Sequence, residues 1–419
     1  MGRTFGERLR SERLGRRLTR SALGGDLFRA REVGRLESGR REPPSGAVRV
    51  LADRLAAAPG ASGAATAGTG PEGSLFLELS ASQAWDERDY SRCRAQSLAG
   101  ALAALAEGDP QRRWNLSFLA AACLCSLRRF RDCIDEALLL ADHPLAAEGL
   151  PLRPRAETLL ATACQGAGRL PEAVAHARRA LRLGLAARLG PEILMEIYEA
   201  LVSALSECGL LEEAWSHCTT MLIPLLESAS DPQVAGKGLW TVGGVAFRRG
   251  DNGGGLRYHR RAASLLTPEA DLEVWAAFNR DSALLRLSAG IHDADVLASI
   301  EHAEAALSVV GASETGELEE LEIRHLRGRW LQLAGDHAGA AARLAAVYAR
   351  RELFSPQSTA EVALHLGLSL AALGEREAAV GRLRAGARIF RSAGAADRAD
   401  HAFRLAADVA AGGTVSMTG

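Results

Sequence analysis

Apolar positions recur along this chain at helical spacing, and the recurrence itself repeats. From near residue 75 almost to the C-terminus, apolar stretches end at Gly168, Gly209, Gly250, Gly290, Gly335 and Gly374. Five residues after most of these glycines stands a small side chain: Ala173, Ala214, Gly255, Ala340 or Ala379, with Cys133 and Cys93 extending the series backwards. The interval is mostly 39 to 41 residues, with one longer step around residues 290 to 303. Each period predicts two helices joined by a tight turn. The glycine supplies the left-handed backbone that ends the first helix, and the small residue lets the second pack closely against it. Leu160, Ala161 and Cys164 followed by Ala173, Ala177 and Ala180 show the pattern, and Leu201, Val202 and Leu205 followed by Ala214, Cys218 and Met221 repeat it.

Eight units can be counted, at about residues 75–108, 113–145, 153–188, 191–229, 233–267, 272–311, 317–352 and 357–393. An amphipathic helix from about Asp397 to Ala411 follows, with Asp400, Arg404 and Asp408 on its polar face, as a solenoid end requires. The pattern resembles the tetratricopeptide repeat, somewhat longer than that repeat's usual ~34 residues. The expected fold is all-α: a right-handed superhelical solenoid of about eight helix pairs with a C-terminal capping helix, behind a small N-terminal domain.

Composition narrows the function classes. The chain has 419 residues, is 47% hydrophobic and carries a formal charge of −1, which argues against a protein that uniformly coats nucleic acid or membrane. No apolar run approaches the ~18 residues of a membrane span and no apolar signal segment follows the first arginines, so a cytoplasmic location and no membrane partner are expected. The seven cysteines lack metal-site spacing and read as reduced, buried small hydrophobes. Gly-x-Ser-x-Gly, P-loop and His-Glu-x-x-His motifs are missing, and the Gly250–Gly255 cluster reads as a repeat turn. No catalytic residue, metal ligand or cofactor is expected, and the chain reads as a non-enzyme.

The near-zero total hides an asymmetry. Residues 1–56 hold 14 arginines against seven acidic side chains, a balance of +7 that leaves −8 for the remainder. Phe5, Leu9, Leu18, Leu23, Leu27, Val33, Leu36, Leu51 and Leu55 predict four or five short helices there, broken at Gly15, Gly24-Gly25 and Pro43-Pro44. The run Val33, Leu36, Glu37, Gly39, Arg41 and Pro43 resembles the segment that closes the recognition helix of the XRE-type helix-turn-helix domain. Two departures are the loop at Leu27-Phe28-Arg29, one residue short, and Gly34 in place of the usual Ser or Thr. The resemblance implies a second helix at about Thr19 to Leu27 and a recognition helix at about Arg29 to Ser38. Arg29, Ala30, Arg31, Glu32 and Arg35 would then face the major groove of double-stranded DNA, with Arg10, Arg13, Arg17, Arg40 and Arg41 at phosphates.

Residues 57–74 read as a low-complexity tether, so that the head (residues 1–56) and the body (residues 75–411) need not share a rigid interface, and residues 412–419 as a tail. Counting back from the repeat glycines, the first helices carry an inner polar and aromatic stripe of Arg155, Glu199, Lys237, Trp240, Phe247, Asn279, Arg280, His325 and Arg329, suited to an extended peptide or a small ligand. Lys237 is the single lysine of the chain. An XRE-type head on a long tetratricopeptide body resembles the RRNPP class of bacterial regulators. That likeness implies a homodimeric, DNA-binding transcription factor whose solenoid senses a signalling peptide, as in quorum sensing. The alternative is an adaptor whose solenoid docks a protein, without sequence-specific DNA binding.

Overall fold

The computed structural model describes residues 4–41, 43, 46–57, 73–147, 151–229, 231–310, 316–392 and 395–413. The tether and the tail of the sequence reading fall largely outside these residues. Every regular element among them is helical, and none is long and apolar enough to cross a membrane. The chain divides into two compact units, one ending at Leu210 and the other beginning at Leu211.

The first unit opens with four short helices: α1 (Phe5–Gly15), α2 (Arg20–Gly24), α3 (Ala30–Glu37) and α4 (Ala47–Ala56). Then come α5 (Ser74–Asp86) with α6 (Tyr90–Ala106), α7 (Pro110–Ser126) with α8 (Phe130–Ala141), the single turn α9 (Pro144–Ala147), α10 (Leu152–Gly166) with α11 (Leu170–Ala186), and α12 (Pro191–Glu207). The second unit begins with α13 (Leu211–His217), a π-helical turn at Cys218–Leu222 and α14 (Ile223–Glu227). It continues with α15 (Pro232–Arg248) and α16 (Asn252–Ala263), α17 (Leu272–Ser288) and α18 (Ala294–Val310), α19 (Gly316–Leu333) and α20 (His337–Ala349), α21 (Pro356–Ala372) and α22 (Arg376–Ser392), and ends on α23 (Ala396–Ala410). This is the helix-pair solenoid that the 40-residue period predicts.

The period is set at the turns. Gly168, Gly209, Gly250, Gly290, Gly335 and Gly374 all have positive φ, between 74° and 87°, and Arg88 and Arg128 hold the same left-handed conformation at φ 61° and 57°. The two arginines complete the glycine series in the first two hairpins. At the Gly168 turn the Arg169 amide donates to the Cys164 carbonyl at 2.8 Å and the Gly168 amide to Gln165 at 2.9 Å, closing the helix end. The π-helical turn precedes Pro224, whose ring removes one amide and crowds the preceding turn; widening the helix there absorbs the clash. Helix α23 buries Ala399, Ala402, Ala406 and Val409 and leaves its polar side out, as an end cap must.

The head is not a free module. Phe5, Leu9, Leu23, Val33, Leu36, Leu51 and Leu55 form its core, and Leu75 and Leu79 of α5 belong to the same cluster. Leu27, expected within the helical rhythm, lies in the α2–α3 turn and is 60% exposed. At the α1–α5 contact Arg8 bonds Glu12 at 2.8 Å and Glu78 at 2.7 Å, while Arg112 of α7 bonds Glu78 at 3.0 Å and approaches Glu12 at 3.7 Å. The Phe5 amide also donates to Asp86 at 2.9 Å. The head and the first repeat therefore pack together in spite of the tether between them. A tether's composition reports the freedom of its own backbone and says nothing of whether the segments it joins are sticky.

Candidate functional site

Helix α3 starts at Arg29, where the Glu32 carboxylate accepts the Arg29 amide at 2.9 Å, and it stops at Ser38 before Gly39 in a left-handed conformation. Val33 and Leu36 point into the core, which turns Arg31 and Arg35 outward. Helix α2 is shorter than expected, Arg20–Gly24, with Thr19 capping it by accepting the Ala22 amide at 3.1 Å.

Between these elements lies an open concavity of about 410 Å³ lined by Arg20, Arg31, Gly34, Arg35, Ser38 and Arg40. Four arginines line it, with no carboxylate among its described lining residues. A side chain at position 34 would narrow it: a Cβ on Gly34 would stand 3.4 Å from the Arg20 guanidinium. Such a cationic hollow on a helix face is suited to an anion. The sequence reading missed Arg20, Gly34 and Ser38 as lining residues, since α2 and α3 approach only in the folded head.

The expected DNA-contact residues separate into groups. Arg29, Ala30, Arg31 and Arg35, together with Arg10, Arg17 and Arg40, are exposed. Glu32 is half-buried and already used, accepting from Arg29 and from Arg41 Nη1 at 2.7 Å; these bonds hold its carboxyl below the usual range. Its expected place at the major groove competes with that bond, and Arg41 shares the commitment. Arg13 is corrected outright: it is 7% exposed and donates to Glu37 through Nε and through Nη2 at 3.2 Å, and to the Leu18 carbonyl at 2.8 Å. Arg20 completes the pair into a triad, its Nε 2.8 Å from Glu37. Burial pushes the Glu37 carboxyl up, and the two arginines outweigh it and hold it low.

The repeat stripe is thinned in the same way. Arg155 lies over the Phe118 ring at 4.5 Å, and Trp240 meets Phe278 edge-on at 5.9 Å. Arg155, Glu199, Lys237, Trp240 and Arg280 remain half-exposed, and Arg280 faces Glu322 at 3.5 Å. The other four expected residues are buried and are corrected. Phe247 packs against His259 at 5.1 Å and fills the space over Gly255. Asn279 donates to the Trp275 carbonyl at 2.8 Å. His325 sits beside His365 at 5.7 Å, and Arg329 reaches Ser288 at 3.3 Å. Burial and the neighbouring Arg329 bring the His325 imidazole down to about 4. The physical reason is that a first helix packs on its own partner and also on the first helices of adjacent pairs, as α19 does on α17 and α21. Such contacts cover more of the helix than a one-partner wheel assumes.

Among the described residues no group of three or more His, Cys, Asp or Glu side chains is arranged to hold a metal ion.

No family model matches the chain, and no curated protein does. Among solved structures, it is similar to a Rap protein complexed with Competence and Sporulation Factor, at 12% identity over 83% of this chain and 98% of that chain, with a TM-score of 0.53. It is also similar to the Rap conjugation gene regulator of plasmid pLS20 in complex with the Phr* peptide, at 12% identity over 85% of this chain and 99% of that one, with a TM-score of 0.52. At this identity the likeness is one of fold: the chain shares the tetratricopeptide-like helical solenoid of these structures.

Proposed function

We propose that the chain is a ligand-responsive, DNA-binding transcriptional regulator that grips a palindromic operator as a homodimer through its N-terminal head. The observation that carries the reading is the concavity on the outward side of α2 and α3 lined by Arg31, Arg35 and Arg40 together with Arg20, whose Nε is bonded to Glu37, with no carboxylate among its described lining residues. Arginines needed only for folding would be paired inward, as Arg13 is with Glu37. An unbalanced outward set is suited to a polyanion, and α3 projects it as a groove-reading helix does. The effector is a peptide or a small ligand held by the half-exposed residues of the repeats. Of the two neighbours of like fold, one is described in complex with the Phr* peptide and the other with Competence and Sporulation Factor, which supports a peptide.

Homodimerisation is supported by an apolar face on the repeats nearest the head. Helix α6 carries no charged side chain from Ser97 to Ala106 and exposes Leu98, Leu102 at 70% and Leu105 at 53%. Arg94 of α6 pairs with Glu136 of α8, and α8 exposes Leu138 and Leu139, the latter at 75%. The five exposed leucines lie on two helices joined by the Arg94–Glu136 pair. A second copy presenting the same leucines covers them, with the internally paired Arg94 and Glu136 beside the contact.

The test is an electrophoretic shift on fragments selected for binding, with the salt dependence measured. A log–log slope of about −0.9 per neutralised phosphate is expected, and Arg31→Ala with Arg35→Ala removes the shifted band. Salt-insensitive binding, or a shift equal for every fragment, favours instead the protein-docking adaptor.

A further inference from the structure

Cys125 of α7 and Cys133 of α8 face each other with their sulfur atoms 3.2 Å apart, and both thiols are free. The approach follows from the repeat. Taking the left-handed turn residue of each hairpin as origin, Cys125 lies three residues before Arg128 and Cys133 five after it. The same two places are filled by Gln165 and Ala173, Phe247 and Gly255, Gln332 and Ala340, and Ala371 and Ala379 in other hairpins. A Cβ on Gly255 would stand 2.6 Å from the Phe247 ring, so these positions bring side chains into contact across the hairpin. Only at the Arg128 turn do both carry sulfur.

We propose that Cys125 and Cys133 form a reversible two-cysteine oxidation site whose oxidant is a hydroperoxide. Cys125 is partly exposed and Cys133 fully buried, which assigns their order. The Cys125 sulfur, having given up its proton, attacks the peroxide oxygen; the O–O bond breaks, the departing oxygen takes a proton and leaves as water or an alcohol, and Cys125 becomes a sulfenic acid. The Cys133 sulfur then attacks the Cys125 sulfur. An S–S bond forms, the S–O bond breaks, and the hydroxide leaves as water with the Cys133 proton. Two thiols are oxidised by two electrons and one peroxide is reduced. Closing the bond to about 2.05 Å requires the sulfurs to approach by about 1.2 Å, a side-chain movement. The hydrogen bond with Cys125 and burial both push the Cys133 thiol up, which keeps it protonated until the first step has occurred. A thiol reductant reverses the reaction by exchange.

The experiment uses the full chain, treated with near-stoichiometric hydrogen peroxide, alkylated and digested with trypsin without reduction. Arg128, Arg129 and Arg131 lie between the two cysteines, so trypsin separates them into peptides joined only if the disulfide has formed. The expected product is that linked pair, two hydrogens lighter than its reduced parts and released by dithiothreitol. Cys133→Ala installs the residue found at Ala173 and Ala340 and keeps the hairpin; it should stop at a Cys125 sulfenic acid trapped by dimedone. Cys125→Ala should give neither product. The proposal is overturned if wild-type Cys125 accumulates the dimedone adduct without cross-linking, if Cys93, Cys123 or Cys164 is the preferred partner, or if all seven thiols react alike. Cys123 shares the tryptic peptide of Cys125, so fragmentation of the linked wild-type pair assigns the bonded sulfur, whatever the fate of the variants.

Discussion

The guanidinium of Arg13 and the carboxylate of Glu37 meet inside the head although they are 24 residues apart, with the Glu37 side chain only 1% exposed. They tie α1 to the end of α3 and so fix the helix that carries Arg31 and Arg35. Removing Arg13 leaves the buried Glu37 carboxylate with the more exposed Arg20 as its remaining partner, and Arg13→Ala is expected to cost about 2–3 kcal/mol. Arg35→Ala, by contrast, should change stability by less than about 0.5 kcal/mol while weakening DNA binding roughly tenfold. Urea titrations of the two variants beside their binding isotherms distinguish folding arginines from gripping ones; equal stability losses would remove the distinction.

The joint between head and repeats should be a coupling element. Burial pushes the Glu12 carboxyl up, but Arg8, Arg16 and Arg112 together hold it below its ordinary range. Glu78, with Glu12 and Asp109, raises the Arg112 guanidinium against its own burial. Glu78→Gln strips the charge shared by Arg8 and Arg112 and is expected to cost about 2–3 kcal/mol. Limited proteolysis should then release the head from the repeats as a separate fragment, whereas the wild-type chain resists cleavage between α1 and α5. Identical digestion patterns would count against a coupled joint.

Two buried histidines make stability depend on acidity. Burial and Arg286 bring His259 down to about 3, and His325 lies at about 4. Both are neutral in the folded chain at pH values where the unfolded chain, with histidine near 6.5, takes up a proton. Their contribution is present above about pH 6.5 and is lost as pH falls toward 4 and then 3, by up to about 1.4 kcal/mol per pH unit for each residue. Denaturation midpoints of the wild type and of His259→Gln, compared between pH 7 and pH 4.5, should show a shallower fall for the variant. Parallel curves would deny His259 this role.

The leucine face of α6 and α8 gives a test made without DNA. Sedimentation equilibrium of the wild type should report twice the 44.3 kDa chain mass. Leu102→Glu combined with Leu139→Glu should report one chain with unchanged helical content, because both positions are exposed. Val309→Glu, at an exposed apolar position of the second unit, should remain dimeric. A monomeric wild type removes this interface and leaves the arginine test of DNA binding untouched.

The helix pairs were legible because a solenoid writes its period into the chain: each turn needs a left-handed residue, and each tight contact a small one, at places counted locally. That counting even located the cysteine at position 133, while the partner sulfur of Cys125 needed the turn at Arg128, where arginine conceals a conformation glycine would have announced. Residue type and helical spacing likewise determined that Val33 and Leu36 face inward and that the N-terminal end is cationic. Tertiary structure alone decided which charges are spent internally. Arg13 and Arg35 look equivalent in the sequence, as do Trp240 and Phe247 on the repeat stripe, because a single helix records the direction of a side chain but not how many neighbours will cover it. Burial depends on contacts between segments far apart in the chain, and those contacts turned Arg13, Asn279, His325 and Arg329 inward while leaving Arg20, Arg31, Arg35 and Arg40 around an open hollow.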